Sequence, residues 1–158
     1  MSTIQRTIKS LKFFGGLTDD RVAGLADCAT LVDFEPNELL IRAGGRPDRF
    51  YIVVSGRVAV ELDEEDRPRV QGLGPDDVLG SSFVTPNEPW LFNIRALEPT
   101  TAVMMDGPMV LRACDADCGL GYEILKRFVP VLALRLRATR QELIRERLRF
   151  SPNRGGGF

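Results

Sequence analysis

The chain has 158 residues, of which 44% are hydrophobic and 27% charged, with a formal net charge of -1. This size and composition fit one globular domain with its own core, and give no basic excess that would favour nucleic acid as a partner. Histidine is absent, which excludes His-dependent general bases, His-ligated haem and most zinc enzymes.

The N-terminal part predicts a short helix and no targeting segment. Met1–Lys12 has no apolar run long enough for a signal peptide, and no stretch of the chain approaches a membrane span. We therefore expect a cytoplasmic protein without membrane contact. Thr18 followed by Asp19 and Asp20 predicts a helix start, because a hydroxyl cap and early acids suit the positive end of the helix dipole. This helix should end near Cys28.

From Thr30 to Asp106 the sequence changes to short β-rich runs separated by Gly, Pro and Asp. Many short strands at this spacing are typical of a sandwich or barrel, and a jelly roll is a natural solution. The fold class is therefore α+β, mainly β, with a jelly-roll barrel at about 30–106. The predicted strands are Thr30–Phe34, Leu39–Ala43, Phe50–Val54, Arg57–Leu62, Arg69–Leu73, Ile94–Glu98 and Ala102–Asp106.

After Gly107–Pro108 the pattern becomes helical, with predicted helices at Met109–Asp115 and Leu120–Leu148. Residues 1–150 are predicted to form one domain, in which the C-terminal helices occupy about 108–149. The tail 151–158, with one Pro and three Gly, is expected to be disordered. Three cysteines without a secretion signal indicate reduced thiols.

The long predicted helix carries a heptad pattern, which we call the seam. Its members alternate at spacings of four and three, with one more residue seven positions on: Leu125, Val129, Leu132, Leu136, Thr139, Leu143 and Phe150. Such a pattern pairs helices by knobs-into-holes packing, or it packs the helix on its own β domain. We expect both, with the first half on the barrel and the second half in a homodimer. The predicted dimer contacts are Val129, Leu132, Leu136, Thr139 and Leu143.

The long predicted helix also contains a proline and an excess of basic residues. Pro130 removes one backbone hydrogen bond and predicts a kink. From Tyr122 to the C-terminus there are nine Lys or Arg and three Asp or Glu, a charge of +6, so that the first 121 residues sum to -7. This asymmetry indicates either a solvated helix face or an anionic partner.

Four segments in order resemble the effector domain of the catabolite activator protein family, within the cyclic-nucleotide-binding superfamily. Leu40–Gly45 and Phe50–Val60 resemble its strand, glycine and "YIV-x-x-G-x-V-x-V" signature. Gly74–Gly80 is similar to the start of its phosphate-binding cassette, and Arg135–Thr139 to the end of its dimer helix. The resemblance covers Leu11–Leu148 and implies a jelly roll followed by a long dimerisation helix.

The resemblance also implies a ligand site that departs from the family pattern. In the family, Gly is followed by a Glu that binds the ribose, and an Arg-Ser-Ala or Arg-Thr-Ala segment holds the cyclic phosphate. Here Gly80 is followed by Ser81, and an ungapped alignment puts Trp90, Leu91 and Phe92 at the phosphate-binding segment. The same alignment continues correctly into the last predicted strand.

An alternative alignment with an insertion uses Arg95 and Ala96 as the phosphate pair. On an unbroken strand, positions 90 and 95 point to opposite faces, so the two alignments are not equivalent. The candidate pocket residues from both alignments, with the position that can touch the base, are Gly80, Ser81, Ser82, Trp90, Leu91, Arg95, Ala96 and Thr139.

Loss of both the Arg and the Glu would remove about 3–6 kcal/mol of charge-assisted hydrogen bonding, so cyclic AMP or cyclic GMP is expected to bind weakly if at all. Ser81 and Ser82 would replace part of the ribose contact. The apolar run Trp90–Phe92 predicts either a pocket for a more hydrophobic ligand or a side-chain plug that fills the old site.

The resemblance and the residues together favour a non-catalytic sensor that forms a homodimer and signals to a protein partner. A helix-turn-helix needs on the order of 20 residues and a supporting domain, so direct DNA binding is not expected. The alternative is a ligand-free dimer that docks partners. Asp63–Asp66 and Asp76–Asp77 lie where turns need solvated acids, and Cys114 with Cys118 lacks further ligands, so neither catalysis nor a metal site is predicted.

Overall fold

A computed structural model describes residues 1–62, 70–85 and 87–150. The helices are α1 (Thr3–Ser10), α2 (Asp19–Ala26), α3 (Gly107–Ala116) and α4 (Cys118–Phe150), with 3₁₀ turns at Lys12–Phe14 and Ser81–Val84. The strands are β1 (Ala29–Phe34), β2 (Leu39–Ile41), β3 (Arg49–Ser55), β4 (Val58–Leu62), β5 (Val70–Leu73), β6 (Val78–Leu79), β7 (Phe92–Ala96) and β8 (Thr100–Asp106). The predicted turn at Asp63–Asp66, the start of the strand predicted from Arg69, and the tail 151–158 lie outside the described residues.

The strands form two antiparallel sheets of four. Sheet A has the order β1-β8-β3-β6 and sheet B the order β2-β7-β4-β5. The helices and the two antiparallel sheets agree with the predicted α+β class. The structure is not mainly β, because the four helices hold more of the described residues than the eight strands do, and α4 alone has 33. In the described residues no hydrogen-bonded ladder joins the two sheets, so a closed barrel is not present there.

Strand pairing adds one strand to the predicted set and moves the start of another. β6 is not among the predicted strands, yet Val78 and Leu79 pair with β3 through Ile52 and Tyr51. β7 begins at Phe92 rather than Ile94, because its backbone pairs with the whole of β4 and not only with the end predicted from alternation. Both differences come from pairing with strands that are distant in sequence, and a local residue pattern does not record such pairing.

Sheet A packs against sheet B on one face and against α1, α2, α3 and the N-terminal part of α4 on the other. On β3, Phe50 and Ile52 belong to a core cluster shared with all four helices, whereas Tyr51 and Val53 belong to a second cluster shared with sheet B. Successive side chains on a strand point to opposite faces, so one strand serves both cores. The near-continuous apolar run in β3 is the sequence signal of this double burial.

A group of phenylalanines, which we call the aromatic cluster, joins four parts of the chain. Phe128 of α4 lies with its ring centroid 5.0 Å from that of Phe13, 5.3 Å from Phe50 and 5.3 Å from Phe83. Phe50 and Phe83 also stack at 4.5 Å. The cluster therefore fixes α4 against the N-terminal segment, β3 and the Ser81–Val84 turn, and aromatic pairs of this geometry add stability beyond their buried area.

The face of α4 that packs on the domain is not the seam. Leu120, Ile124 and Phe128 are buried at spacings of four, whereas the seam residues Leu125 and Val129 are 60% and 59% exposed. The expectation that the first half of the seam packs on the β domain is therefore wrong, because a neighbouring stripe of the same helix fills that contact. α4 continues through Pro130. In the described ranges no helix is both long and apolar enough to span a bilayer.

The aromatic cluster predicts that Phe128→Ala strongly destabilises the fold. Removing a buried ring leaves a cavity that neighbouring side chains fill only partly, which costs about 3–5 kcal/mol in the free energy of unfolding. Leu134→Ala on the same helix is the matched control, since Leu134 is 63% exposed and should change stability by less than about 0.5 kcal/mol. Urea unfolding followed by circular dichroism measures both, and equal losses would show that α4 is not held by this cluster.

Candidate ligand-binding cavity

A cavity of about 530 Å³ lies between sheet B, the Ser81–Val84 turn and α4. This volume is in the range of sites for small organic ligands. Strands of both sheets, the turn and α4 contribute to its walls. Its lining residues are Val60, Leu73, Leu79, Gly80, Ser81, Ser82, Phe92, Ile94, Arg135, Ala138, Thr139, Glu142, Leu143 and Glu146.

The turn Ser81–Val84, which we call the cassette turn, is positioned by residues at its two sides. Gly80 has a φ of 81°, in the left-handed region that favours glycine. A Cβ at this position would lie 3.0 Å from Ile41 Cδ1 and 3.2 Å from the carbonyl oxygen of Arg49, so even a small side chain would be crowded. Phe83 is buried in the aromatic cluster. Gly80 and Phe83 therefore hold Ser81 and Ser82 at the cavity wall.

Arg135 brings a positive charge into the cavity from α4. Its guanidinium donates to Ser81 Oγ at 3.3 Å and, at closer range, to the carbonyl oxygen of Val78. Burial is the main influence on the guanidinium and lowers the pKa of Arg135, and the nearby carboxylate of Asp77 acts in the opposite direction. Both hydrogen-bonded acceptors are neutral, so in the described part of the chain this half-buried cation has no ion-pair partner.

An arginine in this setting favours an anion. A guanidinium has five N–H donors, and the bonds to Val78 and Ser81 use two of them. A bound anionic group would restore part of the charge stabilisation that burial removes, and a planar guanidinium can bind a carboxylate or phosphate through two hydrogen bonds. The inner end of the cavity is therefore suited to one negative charge.

The following turns of α4 are polar as well. Thr139 Oγ1 donates to the carbonyl oxygen of Arg135 at 2.9 Å, so its hydroxyl proton is used within the helix and its oxygen can accept from a ligand. Glu142 and Glu146 add carboxylates to the lining. The helical wall thus carries both signs of charge, whereas the described side chains that sheet B adds to the lining are Val60, Leu73, Phe92 and Ile94.

Of the eight pocket residues predicted from sequence, Gly80, Ser81, Ser82 and Thr139 line this cavity. The other four do not. Leu91 is 79% exposed, and Ala96 is fully buried in the core between the sheets. The remaining two, Trp90 and Arg95, have defined contacts elsewhere.

Trp90 fills core space. It is 7% exposed and packs with Leu40 and Ile41 in the cluster between the sheets. A Cβ on Gly45 would lie 3.2 Å from the indole Cε3, and the Trp90 amide donates to the Gly45 carbonyl at 3.0 Å. The indole Nε1 is buried without a hydrogen-bond partner among the described residues. The side chain at the family's phosphate position therefore belongs to the core and supplies no anion contact.

Arg95 is engaged outside the cavity. Its Nε donates to Glu61 Oε1 at 2.7 Å, and its Nη1 donates to the Asn37 carbonyl at 2.8 Å. It follows Ile94, which lines the cavity, and adjacent residues on a strand point to opposite faces. The alternative alignment, with Arg95 and Ala96 as the phosphate pair, therefore does not fit this cavity.

The sequence analysis missed Arg135 as a cavity residue. The sequence does contain an indication of this position. Arg135 is seven residues after the buried Phe128, which is about two turns, so the two side chains share the inner face of α4. The hydrocarbon wall from sheet B was also missed, since it depends on which face of β4, β5 and β7 turns toward α4. In the described residues no group of three or more acidic, cysteine or histidine side chains could hold a metal ion.

The structure thus combines two antiparallel sheets, a glycine-led turn and a helix that covers a cavity. The profile of the cyclic nucleotide-binding domain family matches residues 31–117, more than half of the chain. The chain belongs to this family. Its members among the similar proteins include regulators of the catabolite activator type.

The similar proteins include a transcriptional regulator and a protein kinase subunit. The chain is 30% identical over 132 residues to a CRP-like cAMP-activated global transcriptional regulator of Mycobacterium tuberculosis, covering 82% of this chain and 57% of that one. It is 30% identical over 95 residues to a cAMP-dependent protein kinase regulatory subunit of Dictyostelium discoideum, covering 57% and 29%. The chain thus spans well under two thirds of the length of these relatives.

Among solved structures, a cyclic nucleotide-binding domain from Methylobacillus flagellatus superposes with a TM-score of 0.74 at 18% identity. The superposition covers 90% of this chain and 82% of that one. At this identity the likeness establishes the fold alone.

The placement of Trp90 predicts a stability role that is separate from ligand binding. Trp90→Ala should lower the free energy of unfolding by about 3–5 kcal/mol, because it leaves a cavity between the sheets. Trp90→Phe, the matched control, keeps an aromatic ring and removes the unpartnered Nε1, and should cost less than about 1.5 kcal/mol. Thermal and urea unfolding test both variants, and an unchanged stability of Trp90→Ala would contradict a core role.

Proposed function

We propose that the chain is a non-catalytic regulatory domain whose cavity takes a small anionic ligand, binds cyclic nucleotides only weakly, and passes the binding event to a protein partner through α4. The observation that carries this proposal is Arg135, a half-buried cation on neutral acceptors at one end of a cavity of about 530 Å³. A cyclic nucleotide or another small anion satisfies that charge.

Weak cyclic-nucleotide binding follows from two side chains. At the family's phosphate position the side chain is Trp90, which lies in the core, and the residue after Gly80 is Ser81, which has no carboxylate for a ribose hydroxyl. Arg135 supplies one charge-assisted contact in place of the two that are missing. The net loss of about 1.5–3 kcal/mol or more reduces affinity by one to two decades or more.

Arg135 also couples ligand binding to the position of α4. It bonds the Val78 carbonyl just before the cassette turn, and a ligand anion would compete for the same guanidinium. Arg135 lies on α4 between the exposed seam residues Leu132 and Leu136, so a change in its position displaces the surface that they form. A ligand that binds the two arrangements differently shifts the equilibrium between them.

Calorimetry with cyclic AMP and cyclic GMP tests the ligand site. We expect dissociation constants of about 10–100 μM for the wild-type protein, one to two decades weaker than micromolar, and binding at least about tenfold weaker for Arg135→Ala. Arg137→Ala is the matched control, because Arg137 is exposed on the same helix and does not line the cavity. Micromolar affinity that survives Arg135→Ala would refute this site.

The second candidate function is a dimeric docking module without a ligand. The observation that favours it is the exposed apolar seam, in which Leu132, Leu136 and Leu143 are between 46% and 52% exposed. Soluble monomers rarely expose a contiguous apolar stripe, and a second copy of α4 would cover it by heptad packing. We propose a homodimer through Val129, Leu132, Leu136, Thr139 and Leu143 in either function.

Sedimentation velocity tests the dimer. The double variant Leu132→Lys, Leu136→Lys should be monomeric at concentrations where the wild-type protein is a dimer, because two buried charges in a heptad seam are unfavourable. Leu134→Lys lies between them in sequence on another face of the helix and should leave the dimer intact. If the wild-type protein is monomeric, or if all three proteins sediment alike, the seam is not a dimer interface.

The proposed output is a protein contact in the cytoplasm rather than contact with DNA. The basic residues of α4 that lie outside the seam offer a surface for such a contact. Catalysis has no part in the proposal, since the family is defined by ligand binding.

A further inference from the structure

We infer that the ligand class suited to this cavity is an organic monocarboxylate with an apolar body, held at its carboxylate by Arg135. The inference rests on the proposed function, because it names the ligand of the same cavity. It goes beyond weak cyclic-nucleotide binding in assigning both the charged end and the body of the ligand.

The charged end follows from Arg135. Its guanidinium donates to Ser81 Oγ and to the Val78 carbonyl, and it lines the cavity beside Ser82. Arg135 is the single cation in the described lining, and the carboxylates of Glu142 and Glu146 lie about two and three turns further along α4. One negative charge is therefore favoured beside Arg135, and a second one on the rest of the ligand is not. A carboxylate matches the planar guanidinium fork through two parallel hydrogen bonds and needs no second cation.

The body of the ligand follows from the wall opposite α4. The side chains that sheet B contributes, Val60, Leu73, Phe92 and Ile94, are all hydrocarbon, and Leu79 extends this surface from β6. The hydroxyls of a ribose placed against this wall would lose water without gaining a partner. An alkyl or aryl group makes no hydrogen bonds with water that could be lost there, and burial of its apolar surface favours binding.

The polar and apolar sides of the cavity are therefore separate. The cassette turn and α4 provide hydroxyls, the Arg135 guanidinium and the carboxylates of Glu142 and Glu146. The described part of sheet B provides no hydrogen-bonding side chain to the lining. This arrangement selects an amphipathic molecule that is charged at one end. The position that would have held a phosphate, Trp90, contributes only to the core beneath.

The test is calorimetry on the full chain with matched pairs of ligands. The charged probes are octanoate and 4-phenylbutyrate, and the neutral probes are octanamide and 4-phenylbutyramide, which keep the body and remove the charge. Cyclic AMP and cyclic GMP form the third arm. We expect each carboxylate to bind at least about tenfold tighter than its amide and tighter than either nucleotide.

Two variants locate the charge recognition. Arg135→Gln should abolish the preference for carboxylate over amide, whereas Arg137→Gln, the exposed control on the same helix, should retain it. Thermal unfolding verifies that both variants are folded. The comparison of acid with amide uses the wild-type protein, so it decides the inference even if Arg135→Gln does not fold.

The outcomes separate this inference from the proposed function. If a cyclic nucleotide binds more tightly than the carboxylates and binding depends on Arg135, the carboxylate assignment is overturned and the anion sensor remains. If acid and amide bind equally, or if Arg135→Gln keeps the preference, the assignment is also overturned. If no probe binds, the inference and the sensor both fail, and the docking module remains.

Discussion

The contact between Phe128 and the rings of Phe50 and Phe83 fixes where α4 lies, and the cavity depends on that placement. Because Phe83 belongs to the cassette turn and Phe50 to β3, one side chain of α4 holds both the turn and the sheet. Seven residues later the same face of the helix presents Arg135 to the cavity. A helix placed differently would leave the cassette without its cation and sheet B without its opposite wall.

Trp90, which the ungapped alignment places at the family's phosphate-binding segment, belongs to the core in this structure. It is buried between the sheets, where its area stabilises the sandwich. The cation that lines the cavity is Arg135, on a helix that also carries an exposed apolar stripe. The proposed ligand site and the proposed dimer surface therefore share one helix.

The sequence predicted most strands and the long helix correctly, because Gly and Pro punctuation and local periodicity are recorded in neighbouring residues. It did not predict β6, which is two residues long and exists through its pairing with β3. The cavity residues Gly80, Ser81 and Ser82 came from a motif resemblance. Trp90 and Leu91 were misplaced because they precede β7, so strand alternation does not determine their orientation.

Arg135 was missed for another physical reason. The heptad pattern in α4 is strong and predicts that the seam packs on the domain. The stripe that faces the domain is instead Ile124, Phe128 and Arg135, which we call the inner stripe. When a helix carries two such stripes, the sequence alone does not show which of them packs on the domain, because that depends on the shape of the surface that the helix meets. Only the packed structure shows that the polar residue in the inner stripe faces a cavity and bonds the chain before the cassette turn.

A ligand that acts on α4 through Arg135 should change the protection of that helix. Hydrogen–deuterium exchange of the wild-type protein with and without saturating octanoate measures this change. Exchange should slow at the backbone amides of residues 78–84 and 132–143 and stay unchanged in α1. Unchanged exchange in α4, with protection confined to the cassette turn or spread evenly over the chain, would show that the ligand does not act on the helix.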